Sequence, residues 1–252
     1  MPTRFDLTFE VGSYGRSASD DGWEEIEPQH IDVWKSAVDL LGRRTLRLPN
    51  GVINVVADWR PILRKHERHY ATMKRFYAEL SNDEAEFLSI SKGFPTRKAK
   101  IPISVEVNGG NRLGKQHPNH LTAAAASSYL HDVFLILNLC APGCCDFYRG
   151  TLVTTDAKTD VSLSNIDFEF ALLGSFEKNW PSIKRLPLDR TVRWFDAVRP
   201  NAHQIPQNAM EKVLFALLHL ATLDVDPMRV IWLFYALESL LETKAGENFS
   251  AL

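Results

Sequence analysis

The sequence has few of the features that assign a protein to a class at once. Only three of its 252 residues are cysteine, and they cluster at Cys140, Cys144 and Cys145. An odd, clustered set is a poor disulfide framework, so a disulfide-stabilised secreted domain is excluded and a cytoplasmic compartment is expected. No secretion signal is expected either, because Arg4 and Asp6 interrupt any apolar run at the start.

An excess of charge of one sign is also absent. Lys and Arg number 29 against 31 Asp and Glu, for a net charge of −2, which excludes a wholly basic nucleic-acid binder but permits a local basic patch. The most apolar stretch, residues 133–145, is shorter than the roughly 20 residues that a membrane-spanning helix needs. We therefore expect a folded protein without a membrane partner.

Familiar catalytic motifs are missing as well. The sequence contains no G-x-x-x-x-G-K-[ST], G-x-G-x-x-G, G-x-S-x-G or H-E-x-x-H. His66 with His69, and His117 with His120, have H-x2-H spacing, but a metal site needs three or four converging donors. The sequence thus predicts no catalytic residue, no metal site and no cofactor.

What is present is a pattern of alternating strands and helices that changes to helices alone. Residues 1–180 predict an α+β N-terminal domain with several strands and three helices. Its last two predicted strands lie at 147–154 and 166–172. Residues 187–252 predict a purely helical, partial bundle, with helices at 188–198, 207–223 and 227–243.

One carboxylate on the last predicted helix is a candidate site residue. Glu238 shares a helical face with Ile231, Phe234 and Leu241, so we expect it to be partly buried and paired. A plausible partner is Arg193, Arg190 or Arg199, on or beside the first helix of the C-terminal region. Such a pair could be functional, or it could be a structural ion pair that holds the helices together.

A second candidate is a basic stripe on the long helix predicted at 60–80. Arg60, Arg64, Arg68 and Arg75 fall near one line along this helix. Arginines in such a row could contact nucleic-acid phosphates. The alternative is an ordinary solvated face opposite the apolar stripe of the same helix, which the slightly acidic overall charge favours.

The C-terminal region resembles a known family. The Arg-Trp-Phe run at residues 193–195, Trp232 and the A-L-E-S-L-L run at residues 236–241 are similar to the front half of an ApeA-like HEPN domain. The resemblance covers residues 187–252. It implies a helical bundle that commonly works as a dimer, often in bacterial defence or RNA-cleaving systems.

The catalytic motif that the resemblance implies, R-x4–6-H after the A-L-E helix, is missing from this chain. No Arg or His follows Arg229, so we expect the HEPN-like region to be incomplete and without nuclease activity as given. Three upstream pairs have the spacing but not the position, and none is assigned a catalytic role: Arg60/His66, Arg64/His69 and Arg112/His117.

Two functions follow as expectations. The first is an RNA-related role in a defence or stress system, with RNA as a partner and a homodimer or partner protein bound through the C-terminal helices. The alternative is a non-catalytic sensor or interaction module that recruits a partner through those same helices. An enzyme acting on a small molecule has no motif behind it.

Overall fold

The computed structural model describes residues 2–11, 23–48, 51–79, 97–108, 118–155, 157–178, 183–199, 205–222 and 227–241. The strands in these ranges are β1 (Thr3–Val11), β2 (Arg43–Leu48), β3 (Gly51–Ala57), β4 (Arg97–Asn108), β5 (Thr151–Val153) and β6 (Lys158–Asp160). The helices are α1 (Trp23–Leu40), α2 (Arg60–Glu79), α3 (Pro118–Cys140), α4 (Ile166–Lys178), α5 (Leu188–Val198), α6 (Ala209–Thr222) and α7 (Met228–Leu240). The predicted α+β class is confirmed.

The six strands form one antiparallel sheet in the order β2-β3-β4-β1-β5-β6. Phe5, Leu7 and Phe9 of β1 are buried on one face of this sheet, and the residues between them lie on the other. The alternation along β4 is the same, as expected for an antiparallel sheet with one buried and one solvated face. Helices α2 and α3 pack on the strands and α1 packs on α2, so the core lies between the sheet and a helical layer.

Helix α3 is the centre of that layer, and a buried chain of hydrogen bonds fixes its position. The indole Nε1 of Trp59 donates to the hydroxyl of Tyr129 over 2.7 Å. The Tyr129 hydroxyl donates in turn to the carbonyl of Leu41, also over 2.7 Å. Buried polar groups are costly unless they are paired, and this chain pairs three of them.

Tyr129→Phe should therefore destabilise the fold by about 1–3 kcal/mol, because the substitution leaves both the indole N–H and the carbonyl of Leu41 without their partner. Urea unfolding followed by circular dichroism measures this loss. Tyr235→Phe is the matched control, since no hydrogen bond of the Tyr235 hydroxyl is seen in the described ranges, and its effect should stay within about 0.5 kcal/mol. Equal stability of the two variants would contradict the role of the hydrogen-bond chain.

Residues 120–140 of α3 are long and apolar enough to cross a membrane by length and composition alone. In the fold, however, 72% of this apolar window is buried inside the protein. The core helix of a globular protein has the same properties, so the helix is accounted for by its place under the sheet.

The strand predicted at 166–172 is wrong: these residues begin α4, and the region up to residue 180 has four helices within the described ranges rather than three. The alternation Ile-Asp-Phe-Glu-Phe suggested a strand, but Asp167 and Glu169 lie in the first helical turn, where carboxylates favour a helix N-terminus. Phe168 and Leu172 then fall one turn apart on the inner face. The strand predicted at 147–154 is confirmed only in part, as β5.

The three predicted C-terminal helices are confirmed as α5, α6 and α7. Helix α5 packs against α3, and its Phe195 is fully buried in the same hydrophobic cluster as the sheet residues. Just before α5, the backbone N–H of Leu186 donates to the carbonyl of Cys140 at the end of α3. Residues on both sides of the predicted boundary at 180–187 therefore share one core.

Candidate functional site

The C-terminal helices α6 and α7 pack against each other, and aromatic rings lie between them. The rings of His219 and Trp232 stack with centroids 4.2 Å apart and planes inclined by 4°. Phe215 meets Trp232 edge-on at 5.7 Å. Burial lowers the pKa of His219, which favours the neutral ring in the stack. At its first turn α7 is also tied to α4, by an ion pair between Arg229 and Asp167.

The opposite side of α7 is apolar and faces solvent. None of the residues of α7 is buried. Six large apolar side chains, each 46–54% exposed, form what we call the apolar face: Val230, Leu233, Phe234, Leu237, Leu240 and Leu241. They follow one another at steps of three and four residues, so they form one continuous stripe on the helix. Large contiguous apolar patches on a protein surface mark interaction sites.

The structure does not place Glu238 as expected. Its side chain is exposed rather than partly buried, because nothing in the described ranges covers this side of α7. Arg193 forms an ion pair with Asp189 on its own helix, with Nη2 and Oδ2 2.9 Å apart. Within the described ranges, no hydrogen bond or ion pair joins Arg193 to Glu238.

The predicted basic stripe does form on the surface of α2. Arg60, Arg64, Arg68 and Arg75 are all exposed on one side of the helix. Arg60 is already engaged, since its guanidinium donates two hydrogen bonds to Asp58, at 2.7 and 2.8 Å. This pairing lowers the pKa of Asp58. The other three arginines extend the stripe, and no ion pair within the described ranges includes them.

The two R-x4–6-H pairs on α2 do not converge. His66 and His69 point away from the arginine stripe toward α1, where their Nδ1 atoms lie 3.6 and 3.8 Å from Glu27 Oε1. The ring of Trp34 stacks on His66. Because each Arg and its His lie on different sides of the helix, they cannot act on one phosphate together. Arg112 and His117 lie outside the described residues.

The cysteines behave as buried apolar residues. Cys140, Cys144 and Cys145 are unpaired and buried, and burial raises the pKa of each thiol, for Cys140 to about 11. Across the described ranges, no group of three His, Cys, Asp or Glu residues is arranged to hold a metal ion.

A pocket of about 580 Å³ opens along β2, the terminal strand of the sheet. Its walls come from β2, the end of α1, the middle of α3 and the last turns of α5. Six of its lining side chains are charged: Arg43, Arg44, Arg47 and Arg199, with Asp132 and Asp196. Arg43 and Arg47 lie on the solvated face of β2, whereas Arg44 lies on the face that the helices cover, because neighbouring residues of a strand point to opposite faces. We call this site the arginine pocket.

Two ion pairs fix the geometry of the arginine pocket. Arg44 donates hydrogen bonds of 2.6 and 3.3 Å to the two oxygens of Asp196. Arg199 Nη1 lies 2.8 Å from Asp132 Oδ1, within ion-pair distance, but the angles are not those of a hydrogen bond. Asp132 is only 4% exposed, and its Oδ1 makes no hydrogen bond within the described part of the chain. Burial raises the pKa of Asp132, whereas Arg199 and Arg44 act to lower it.

The sequence did not predict this pocket, and it named Arg199 only as a possible partner of Glu238. The only local signal was the run Arg43-Arg44 with Arg47 three positions later. Arg44 and Asp196 are 152 positions apart in the sequence, and only the packing of α5 beside β2 brings them together. A search for short motifs cannot detect a site whose parts are so distant.

Comparison with family models, with curated proteins and with solved structures gives no match to this chain. The resemblance of residues 187–252 to an ApeA-like HEPN domain therefore stays a prediction. What the protein does has to be inferred from its own surfaces and pockets.

Proposed function

We propose that the protein is a non-catalytic interaction module that assembles with a second copy of itself through the apolar face of α7. The observation that supports this is the half-exposure of six large apolar side chains on one stripe of one helix. Together they present on the order of 500 Å² of apolar surface to water. A stable interface buries roughly 800 Å² on each partner, so this face supplies much of what a dimer needs.

The spacing of the apolar face suits a helical partner, and a second copy supplies one. Val230, Leu233, Leu237 and Leu240 follow steps of three, four and three residues, the spacing by which two helices interlock along a seam. A two-fold interface uses the same patch on both copies, so one self-complementary stripe is sufficient. Burying these side chains against their symmetry mates removes the cost of exposing them to water.

Sedimentation velocity of the purified protein across the micromolar range tests this proposal. The expected result is a dimer that dissociates on dilution, since the interface is of modest size. Two results would contradict self-assembly. One is a protein that stays monomeric at the highest concentration, and the other is a protein that associates only when a different protein is added.

We propose a second function, contact with RNA through the basic stripe of α2, in the defence or stress setting that the HEPN-like resemblance implies. Three exposed arginines, Arg64, Arg68 and Arg75, support it, since side chains in a row along one helix can follow a phosphate backbone. The proposal includes no RNA cleavage, because the histidines of α2 face the core side of the helix.

Replacing Arg64, Arg68 and Arg75 together by Ala should weaken binding of a fluorescein-labelled single-stranded RNA by about tenfold, because three phosphate contacts are lost. Fluorescence anisotropy measures the affinity at several salt concentrations. The dependence of log affinity on log salt should become shallower by about two, from roughly 0.7 for each lost contact.

A second triple variant serves as the control, with Lys158, Lys184 and Arg190 replaced by Ala. It has the same change in net charge, so it distinguishes loss of the arginine stripe from loss of positive charge in general. All three residues of this control are exposed and lie outside α2. The control should bind RNA within about twofold of the unmodified protein. Equal losses in the two triple variants would mean that RNA responds to total charge only and that α2 is not its site.

A further inference from the structure

We propose that the outer edge of β2 binds an extended acidic peptide, which pairs with β2 as an added antiparallel strand and sets its carboxylates beside Arg43 and Arg47. Within the described ranges β2 is the terminal strand of the sheet, and no strand pairs with its outer edge. The arginine pocket lies along this edge and contains no residue of α7 or α2. The proposal therefore does not depend on self-assembly or on RNA contact.

The lining of the arginine pocket shows that the pocket follows the backbone of β2. Every residue from Arg43 to Arg47 lines it. Neighbouring residues of a strand point to opposite faces of the sheet, so a pocket on one face alone would be lined by every second residue. A pocket that all of these residues line lies at the edge of the strand. Its volume of about 580 Å³ falls within the range of sites that enclose small ligands.

The pairing of β2 with β3 decides which backbone groups of β2 are left over. The N–H of Ala57 donates to the carbonyl of Gly42 over 2.9 Å, so the carbonyl of Gly42 faces β3. In an antiparallel pair, residues that bond to the neighbouring strand alternate with residues that do not. Arg44 and Leu46, two and four positions after Gly42, therefore have their N–H and C=O groups directed at β3.

Arg43, Thr45 and Arg47 are the residues whose backbone groups face outward. Within the described ranges, no backbone hydrogen bond outside the β2–β3 pair involves them. All three residues are exposed, and their side chains lie on the solvated face of the sheet. An extended peptide can bond to these N–H and C=O groups and continue the sheet, which is a common mode of peptide recognition.

The two outward arginines favour a peptide with two carboxylates. Neither Arg43 nor Arg47 belongs to an ion pair within the described ranges. On an added strand, the residues directly opposite them are four positions apart and lie on the same solvated face. Glu at both positions places an opposite charge beside each guanidinium group, and Thr at the middle position lies opposite Thr45.

The covered side of the edge favours uncharged side chains. Arg44 and Arg199 are each already paired with a carboxylate there, so they leave no charge for a ligand to balance. Leu40 and Val192, from the covering helices, give the pocket an apolar wall. The two inward residues of the peptide should therefore be apolar and β-branched, which gives the sequence Glu-Val-Thr-Val-Glu.

A second copy of this chain fits the edge less well than an acidic peptide. If β2 paired with the β2 of another copy about Thr45, Arg43 of each copy would lie directly opposite Arg47 of the other. Like charges in opposite positions destabilise strand pairing. Charged side chains on a terminal strand are also a common protection against pairing of a sheet with itself.

Fluorescence anisotropy with the full chain and a fluorescein-labelled peptide, Gly-Ser-Glu-Val-Thr-Val-Glu-Ser-Gly, tests the proposal. The expected result is saturable binding of this Glu peptide. A Lys peptide, with Lys in place of both Glu residues, should bind about tenfold or more weakly, because two opposite-charge pairs become like-charge pairs.

Two N-methylated forms of the Glu peptide test the strand pairing itself. A methyl group on the Thr nitrogen removes an N–H that faces β2 and should weaken binding by about tenfold or more, because it also places a methyl group between the strands. A methyl group on the nitrogen of the first Val replaces an N–H that faces away from β2 and should change the affinity by less than about threefold.

Replacing both Arg43 and Arg47 by Glu should reverse the preference, so that the Lys peptide binds more tightly than the Glu peptide. The control replaces Arg4 and Lys158 by Glu, because both residues are exposed on the solvated face of the sheet and neither lines the pocket. This control should still prefer the Glu peptide. Thr45→Pro removes one outward N–H, a change that terminal strands tolerate, and should weaken binding. If Thr45→Pro does not fold, the N-methylated peptides test the same hydrogen bond on the unmodified protein.

Three results would overturn the proposal. One is that the Glu peptide does not bind at millimolar concentration. Another is that the two N-methylated peptides bind equally well, since the contact would then depend on charge without strand pairing. The last is that the variant with Glu at positions 43 and 47 still prefers the Glu peptide.

Discussion

Leu237→Glu is expected to convert the proposed dimer into a monomer. Leu237 lies in the middle of the apolar face of α7 and is 46% exposed. In a two-fold assembly the substitution places two carboxylates within one apolar interface, where a charge without a partner costs several kcal/mol. Residues at the centre of an interface also contribute most to its stability. The dissociation constant should rise by about 100-fold or more, which sedimentation velocity resolves.

Val56→Glu is the matched control for this change. Val56 is exposed to a similar degree, 44%, but lies on the solvated face of the sheet in β3. This variant should remain a dimer, and both variants should keep the circular dichroism spectrum of the unmodified protein because neither position is buried. If Leu237→Glu still formed a dimer, or if Val56→Glu alone dissociated, the apolar face of α7 would not be the interface.

Asp146→Asn should stabilise the folded protein at neutral and higher pH. Burial, with the nearby charge of Glu169 as a smaller cause, raises the pKa of Asp146 to about 7. The folded protein therefore keeps a proton that the unfolded chain releases near pH 4, and folding loses stability as the pH rises from about 4 to 7. Asn removes this loss and retains a carbonyl oxygen to accept the hydrogen bond from the Tyr148 N–H.

The expected gain for Asp146→Asn is on the order of 3 kcal/mol at pH 8, falling toward zero near pH 4. Urea unfolding at several pH values measures the difference between the variant and the unmodified protein. Asp160→Asn, at an exposed carboxylate of β6, makes the same change of charge and should shift stability by less than about 0.5 kcal/mol. A gain that does not depend on pH would show that Asp146 is charged in the folded protein.

The sequence predicted most elements of the fold because periodicity records which residues share a face. The long helix α2 and the three C-terminal helices follow from it. It failed at α4, where a short alternating run fits a strand and one turn of helix equally well. Two contacts favour the helix. The backbone N–H of Ile166 donates a hydrogen bond to the Ser164 hydroxyl, and Phe168 packs against the core.

Periodicity also could not show whether a neighbour covers an apolar face. Spacing predicts that the residues around Glu238 are partly buried; they do share a face, but that face is exposed. The arginine stripe depends on spacing along one helix and was therefore predictable. The arginine pocket was not, because Arg44 and Asp196 meet only after the sheet and α5 have packed.

The burial of the three thiols has a practical value for spectroscopy. Reagents such as maleimides attack accessible thiolates, and Cys140, Cys144 and Cys145 are buried and hold their protons at neutral pH. We therefore expect the native protein not to react with these labels, so that none of its own cysteines has to be replaced first. A single cysteine introduced on the surface of α7 would take up one fluorophore or spin label, and the distance between two such labels would report the arrangement of the two copies in the proposed dimer.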